Sequence, residues 1–291
     1  MVQFFCVKGF RKESCRHDRG DPMIPSLLWS VVVFVIGSIF GSFMNVCIYR
    51  LPRGQSIVFP PSSCPRCGSR ILWYDNIPVI GFLLLGGKCR TCKETISPRY
   101  PVVESVTGLL AVLLFFKFGV SVTFFAMFLF CAALVVVTFI DLEHRIIPDE
   151  ISLPGIILGF ILSFFMENIY LPGEILGWKE SLLGIAAGGG SLLLVAYAYQ
   201  LIARKEGMGG GDIKLLAMMG AFLGWRAVPF IIFLSSLAGS AVGISLMLAR
   251  NKDSRLSLPF GPFLAFGALM FIFFGRQIIT WYLGFGSNPR G

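Results

Sequence analysis

The sequence predicts an all-α, polytopic membrane protein of about eight transmembrane helices, with one small cysteine-rich domain between the first two. Three observations carry this reading. Apolar residues make up 55% of the 291 residues and charged residues only 14%, whereas soluble domains carry about a quarter charged. The apolar residues are gathered in long uncharged runs. The alternating pattern of a membrane β-barrel is absent, and backbone groups in hydrocarbon must pair within their own segment, which makes helix the default.

Five runs, Ser26–Tyr49, Phe118–Ile140, Ser181–Ala203, Ala227–Ala249 and Leu256–Gly275, are close to the ~20 residues that cross a bilayer as helix. Three shorter runs, Val102–Phe116, Ile151–Met166 and Leu215–Trp225, complete a set of eight. The net charge of +9 does not indicate nucleic acid, because the basic residues sit in loops between spans, where they mark the cytoplasmic side. Eight Lys or Arg lie from Arg50 through Arg99. Arg204, Lys205 and Lys214 form a second cluster, and Arg250, Lys252 and Arg255 a third. With eight spans all three clusters fall on one side, so the charge pattern favours a crossing at Leu215–Trp225.

The expected organisation is an N-terminal extension over residues 1–24, a first span at 25–49, a loop domain at 50–101 and a membrane-embedded domain at 102–291. Residues 1–24 carry Lys8, Arg11, Lys12, Arg16 and Arg19, yet the arrangement places them outside. A natural start at Met23 removes that conflict. The first span is too long for a removable signal peptide and lacks a small-residue cleavage site.

Cys64, Cys67, Cys89 and Cys92 form C-x2-C-x21-C-x2-C. Two such knuckles bring four thiolates into the tetrahedral arrangement Zn2+ prefers, with no open coordination position. Two disulfides are the rival reading, disfavoured in a reducing cytoplasmic loop. The loop is therefore expected to be a cytoplasmic zinc-binding domain in which the metal is structural.

Asp141 follows the uncharged run ending at Ile140 and opens a segment that closes at Pro148-Asp149. Asp212 ends the Gly207–Asp212 run and begins the sixth helix. Two crossings separate the aspartates, so both sit at the same membrane surface whichever way the chain is oriented. Gly209 and Gly211 permit φ > 0 and close chain approach, and the helix dipole favours an anion at Asp212. Two carboxylates held together share a proton. Such a pair can activate water and protonate a leaving amine in peptide hydrolysis. The plainer alternative makes Asp141 and Asp149 interfacial charges and Asp212 a helix cap; Asp149, after Pro148, suits a cap on the fourth span. Glu104, just inside the second span, is a costly placement for a carboxylate and so a functional candidate. An ion pair with Arg99 or another loop base is its simpler explanation.

Four segments in order carry a family resemblance. They are Gly41–Pro52, Cys64–Glu104 with Trp73–Pro78 and Arg99–Pro101, the Asp141 segment, and Gly209-Gly210-Gly211-Asp212. Together they resemble the bacterial type IV prepilin peptidases, GxGD aspartyl proteases of the inner membrane. The resemblance implies that Asp141 and Asp212 are catalytic. It also implies prepilin and pseudopilin substrates of type IV pilus and type II secretion systems, cut at the cytoplasmic membrane face. Members with the cysteine loop also N-methylate the new N-terminus, using S-adenosylmethionine. A G-x-G-x-x-G motif for that cofactor is not found here. The main rival is a proton-coupled transporter using the buried acids, which leaves the cysteine loop unexplained. A serine–lysine protease lacks a recognisable constellation. A metalloprotease lacks H-E-x-x-H, the only histidines being His17 and His144.

Overall fold

The computed structural model describes residues 23–204, 209–250 and 258–286. The N-terminal extension, apart from its last two residues, and Lys205, Lys252 and Arg255 of the basic clusters lie outside these. Nine helices are present among the described residues, and no strand: α1 (Met23–Arg50), α2 (Ile80–Leu84), α3 (Arg99–Phe118), α4 (Val122–His144), α5 (Asp149–Leu162), α6 (Gly177–Ala203), α7 (Gly210–Leu223), α8 (Ala227–Arg250) and α9 (Gly261–Gly286). Six of them, α1, α3, α4, α6, α8 and α9, are long and apolar enough to cross a membrane. The chain is a multi-pass membrane protein.

The helix ends follow from local chemistry. Ser121 caps α4 by accepting the Phe124 N–H at 3.1 Å, satisfying one of the free donors of a first turn. Arg145, in left-handed conformation at φ 56°, closes α4 by returning its N–H to the Asp141 carbonyl at 2.9 Å. Pro148 then supplies the fixed extended residue from which α5 starts.

At 14 residues each, α5 and α7 reach about 21 Å, short of the ~30 Å hydrocarbon core. They are inner elements of the bundle. α7 packs against α5 and α6, and every residue from Leu215 to Leu223 is buried. Gly184 of α6 and Gly220 of α7 make the approach possible: a Cβ on either would come within about 2 Å of the other's carbonyl oxygen, so only hydrogen fits at this crossing. α4 is the most buried of the long helices. It contacts α1, α3, α5 and α9.

Candidate active site

α4 runs toward the membrane end where Asp141 lies, and α7 runs away from it starting at Asp212. The rings of Phe130 and Phe222 stack at 4.8 Å between centroids, fixing the two helices against each other. Phe130 is eleven residues before Asp141 and Phe222 ten after Asp212, about 16 and 15 Å along their axes at 1.5 Å per residue. The two aspartates therefore sit at nearly equal depth. Both line one cleft of about 250 Å³, with Arg145, Ile146, Ile147, Gly209 and Gly211.

The two carboxyls are held differently. Asp141 is 5% exposed, and its Oδ2 accepts the backbone N–H of Gly261 at 2.9 Å. Gly261 opens α9, so the positive end of that helix points at Asp141. A Cβ on Gly261 would lie 2.7 Å from Oδ2. Asp212 is partly exposed in the first turn of α7, whose cap residue is Gly209 and not the aspartate itself.

The glycine run works through space, not through backbone sign. Gly209 has φ −68°, and neither Gly210 nor Gly211 is among the positive-φ glycines; the expected φ > 0 is not present there. At Gly211 a Cβ would come within 2.8 Å of the Ile147 Cβ. The missing side chain lets the segment after α4 lie against the start of α7.

Asp149 has a different partner from the one expected. α5 shows no side-chain cap bond. The Asp149 carboxylate instead receives Lys214 Nζ at 2.8 and 2.7 Å, tying α5 to α7 two residues beyond Asp212. The expected pairing of Glu104 with a loop base is also replaced. Glu104 Oε2 accepts the backbone N–H of Val79 at 2.7 Å, with Ser42 beside it. Arg99 pairs with Glu143, one end of α3 to the end of α4, at 2.5 and 2.6 Å. His144, the last residue of α4, lies 4.0 Å from Glu143.

The four predicted cysteines converge between α1 and α3. All their sulfurs lie within 4.8 Å of one another. Cys64 and Cys92 Sγ are 3.8 Å apart, close to the ~3.8 Å edge of a tetrahedron with Zn–S bonds of about 2.3 Å. All four are free thiols. The two knuckles are built alike. The Gly68 N–H returns to the Cys64 carbonyl at 2.9 Å, and the Lys93 N–H to the Cys89 carbonyl at 3.0 Å. Gly68 and Lys93 are both left-handed, at φ 69° and 59°. Backbone N–H groups of Cys92 and Thr91 bring the Cys89 thiol down to about 6. At Cys92 the Glu94 backbone pulls the same way, but burial and the neighbouring sulfurs outweigh it and bring the thiol up to about 11; the sulfurs titrate as one cluster. Arg90 in the second knuckle grips Asp75 with two hydrogen bonds, at 2.8 and 2.5 Å. The cluster can hold a metal ion.

These features define a class: a helical membrane protein with two aspartates facing one cleft at a single membrane end, and a tetracysteine module beside the first helix. Comparison with known proteins agrees. Residues 35–118 match the bacterial peptidase A24 N-terminal domain, and residues 128–244 match the type IV leader peptidase family. A prepilin leader peptidase/N-methyltransferase of Pseudomonas aeruginosa is 36% identical over 284 residues, covering 90% of this chain and 96% of that protein. Proteins of the same name from Aeromonas salmonicida and Xanthomonas campestris are 38% and 36% identical, covering 89% and 87% of this chain and 95% and 93% of theirs. No solved structure matches the chain. The chain belongs to the prepilin leader peptidase/N-methyltransferase family.

Proposed function

We propose that this protein is an aspartyl endopeptidase of the bacterial inner membrane that removes the basic leader of prepilins and pseudopilins at the cytoplasmic face, then N-methylates the new N-terminus. The observation that carries the reading is the shared cleft of Asp141 and Asp212. One ionised carboxylate takes a proton from water as its oxygen attacks the scissile carbonyl. The other carboxyl gives its proton to the departing amine. The buried, N–H-bound Asp141 suits the ionised role, and the more accessible Asp212 the donor. Gly209 and Gly211 shape the cleft wall, and Asp149 braces α7 through Lys214.

In this reading Cys64, Cys67, Cys89 and Cys92 hold a structural Zn2+. The ion would crosslink the two knuckles of the 50–101 domain and take no part in hydrolysis. S-adenosylmethionine is the methyl donor implied by the family; the described residues assign no place to it. A proton path is less well supported. Asp141, Asp212 and Glu104 all lie toward one membrane end, whereas a relay needs acidic groups strung along the bilayer.

The test is co-expression with a prepilin and mass analysis of its N-terminus. Loss of the leader together with one added methyl group is expected. An unprocessed prepilin beside a correctly inserted protein would overturn the proposal.

A further inference from the structure

The loop between α1 and α3 carries an apolar surface that the peptidase reading does not use. In residues 71–84 the side chains of Trp73, Leu83 and Leu84 are 81%, 69% and 79% exposed, and Ile80 is exposed beside them. Ile80, Leu83 and Leu84 stand at i, i+3 and i+4 of α2, one face of the helix. The single charged residue of this segment, Asp75, is neutralised by Arg90. In a water-facing loop such a patch would be costly and aggregation-prone.

The depth of the segment can be read from its anchor. Val79 gives its N–H to Glu104, the sixth residue of α3. On α1, Gly41 lies against the Glu104 backbone, nine residues before the helix ends at Arg50. Those nine residues span about 13 Å. Val102 and Phe43, exposed apolar residues each two positions nearer the loop, give the helix pair an apolar outer surface just above this level. Arg50 closes α1 and Arg99 opens α3, so Glu104 lies inward of the charged ends of both spans. Its side chain holds Val79, and with it the residues leading into α2, against this end of the α1–α3 pair.

We propose that residues 71–84 lie in the interfacial layer of the bilayer, with Trp73 and the apolar face of α2 inserted among the lipids around α1 and α3. The occupant of the patch is phospholipid. Val79 pins the segment to α3 near the exposed apolar Val102 and Phe43, Trp73 and Tyr74 are the aromatic types that settle at the headgroup level, and Arg70 and Lys88, flanking the segment in sequence, carry the charge that lipid phosphates attract. The cysteine module is then held against the membrane surface, not suspended above it. This inference does not depend on the peptidase reading.

The full chain is reconstituted in nanodiscs of phosphatidylcholine and phosphatidylglycerol. The fluorescence lost on Trp73→Phe isolates the Trp73 signal from the other four tryptophans. Phosphatidylcholine brominated near the headgroup end of its acyl chains is expected to quench that signal about two-fold or more, with iodide in the water having little effect. Leu84→Glu should weaken the lipid quenching and admit iodide. Full quenching of wild-type Trp73 by iodide with no response to brominated lipid would overturn the proposal. So would insensitivity to both quenchers, which would mean that protein covers the patch.

Discussion

The backbone N–H of Gly261 lies 2.9 Å from Oδ2 of Asp141, joining the first turn of α9 to the last turn of α4 across 120 residues of sequence. A methyl group at position 261 would stand 2.7 Å from that oxygen and must push the carboxyl aside. Gly261→Ala is expected to lower the rate of leader removal by about 10- to 100-fold, since misplacement of a catalytic group by ~1 Å costs that order. KM for the prepilin should change little. The measurement is cleavage of purified prepilin at a series of substrate concentrations, with insertion and thermal stability of the variant checked in parallel.

Asp141→Asn and Asp212→Asn separate charge from shape. Each amide is close in size to the acid but cannot share the proton, so each variant should lose about 10²-fold or more of the cleavage rate while still inserting. Near-normal processing by either variant, read from the prepilin band shift on a gel, would remove that residue from the catalytic pair.

Much of this was legible before any coordinates. Counting two crossings put Asp141 and Asp212 at one membrane surface, and they do line one cleft, although α5, one of the two intervening helices, is too short to cross the hydrocarbon core unaided. The four cysteines were legible because ligand spacing in a knuckle is local. Gly261 was not. Its contact is made by a backbone N–H, which carries no residue-type signal, and the neighbouring Leu258–Pro262 stretch reads as an ordinary helix start. Glu104 was flagged by its cost in hydrocarbon, but its partner is again a backbone N–H, from Val79, so a search among basic side chains could not find it. Asp149 followed a proline as caps do, yet Lys214, 65 residues on, holds its side chain.

The Asp149–Lys214 pair is partly exposed, with 53% and 38% of the side-chain surfaces open. Pairs of this kind contribute about 0–1 kcal/mol. Asp149→Asn should therefore reduce cleavage only a few-fold, by loosening α7 near Asp212. Exchanging the two, Asp149→Lys with Lys214→Asp, should restore part of the loss. A loss with Asp149→Asn as deep as that with Asp141→Asn would instead make Asp149 part of the chemistry.

The tetracysteine cluster should carry one zinc per chain, measured by elemental analysis of protein purified without chelators. Cys64→Ser or Cys89→Ser should lose the metal and become protease-sensitive between Arg50 and Pro101, because a structural site couples binding to local folding. Lys93 offers a milder check. It occupies the left-handed position that Gly68 fills in the other knuckle. Lys93→Gly should keep the metal and leave stability equal or higher, by up to about 1 kcal/mol.

Glu104 ties the loop to the membrane helices, and this contact should separate the two activities. Both aspartates lie on later helices, so the hydrolysis proposed for them draws on no side chain of the loop. In the proposed function methyl transfer needs the amine that hydrolysis releases, and the loop is the part of the chain that the proposed hydrolysis leaves without a role. Glu104→Ala removes the acceptor for the half-buried Val79 N–H, at a cost of about 1 kcal/mol. The loop should then shift against α3 while the Asp141–Asp212 cleft stays in place. The expected result is a several-fold fall in methylated product with cleavage nearly unchanged. Glu104→Gln keeps a carbonyl oxygen for Val79 and should restore most of the methylation, which distinguishes anchoring from a need for the charge itself. Uncleaved, cleaved and cleaved-methylated prepilin are measured by mass for each variant. A parallel loss of both products in Glu104→Ala would mean that the loop's seating supports the whole catalytic bundle. Failure of Glu104→Gln to recover methylation, with cleavage intact, would place the carboxylate's charge in the transfer step.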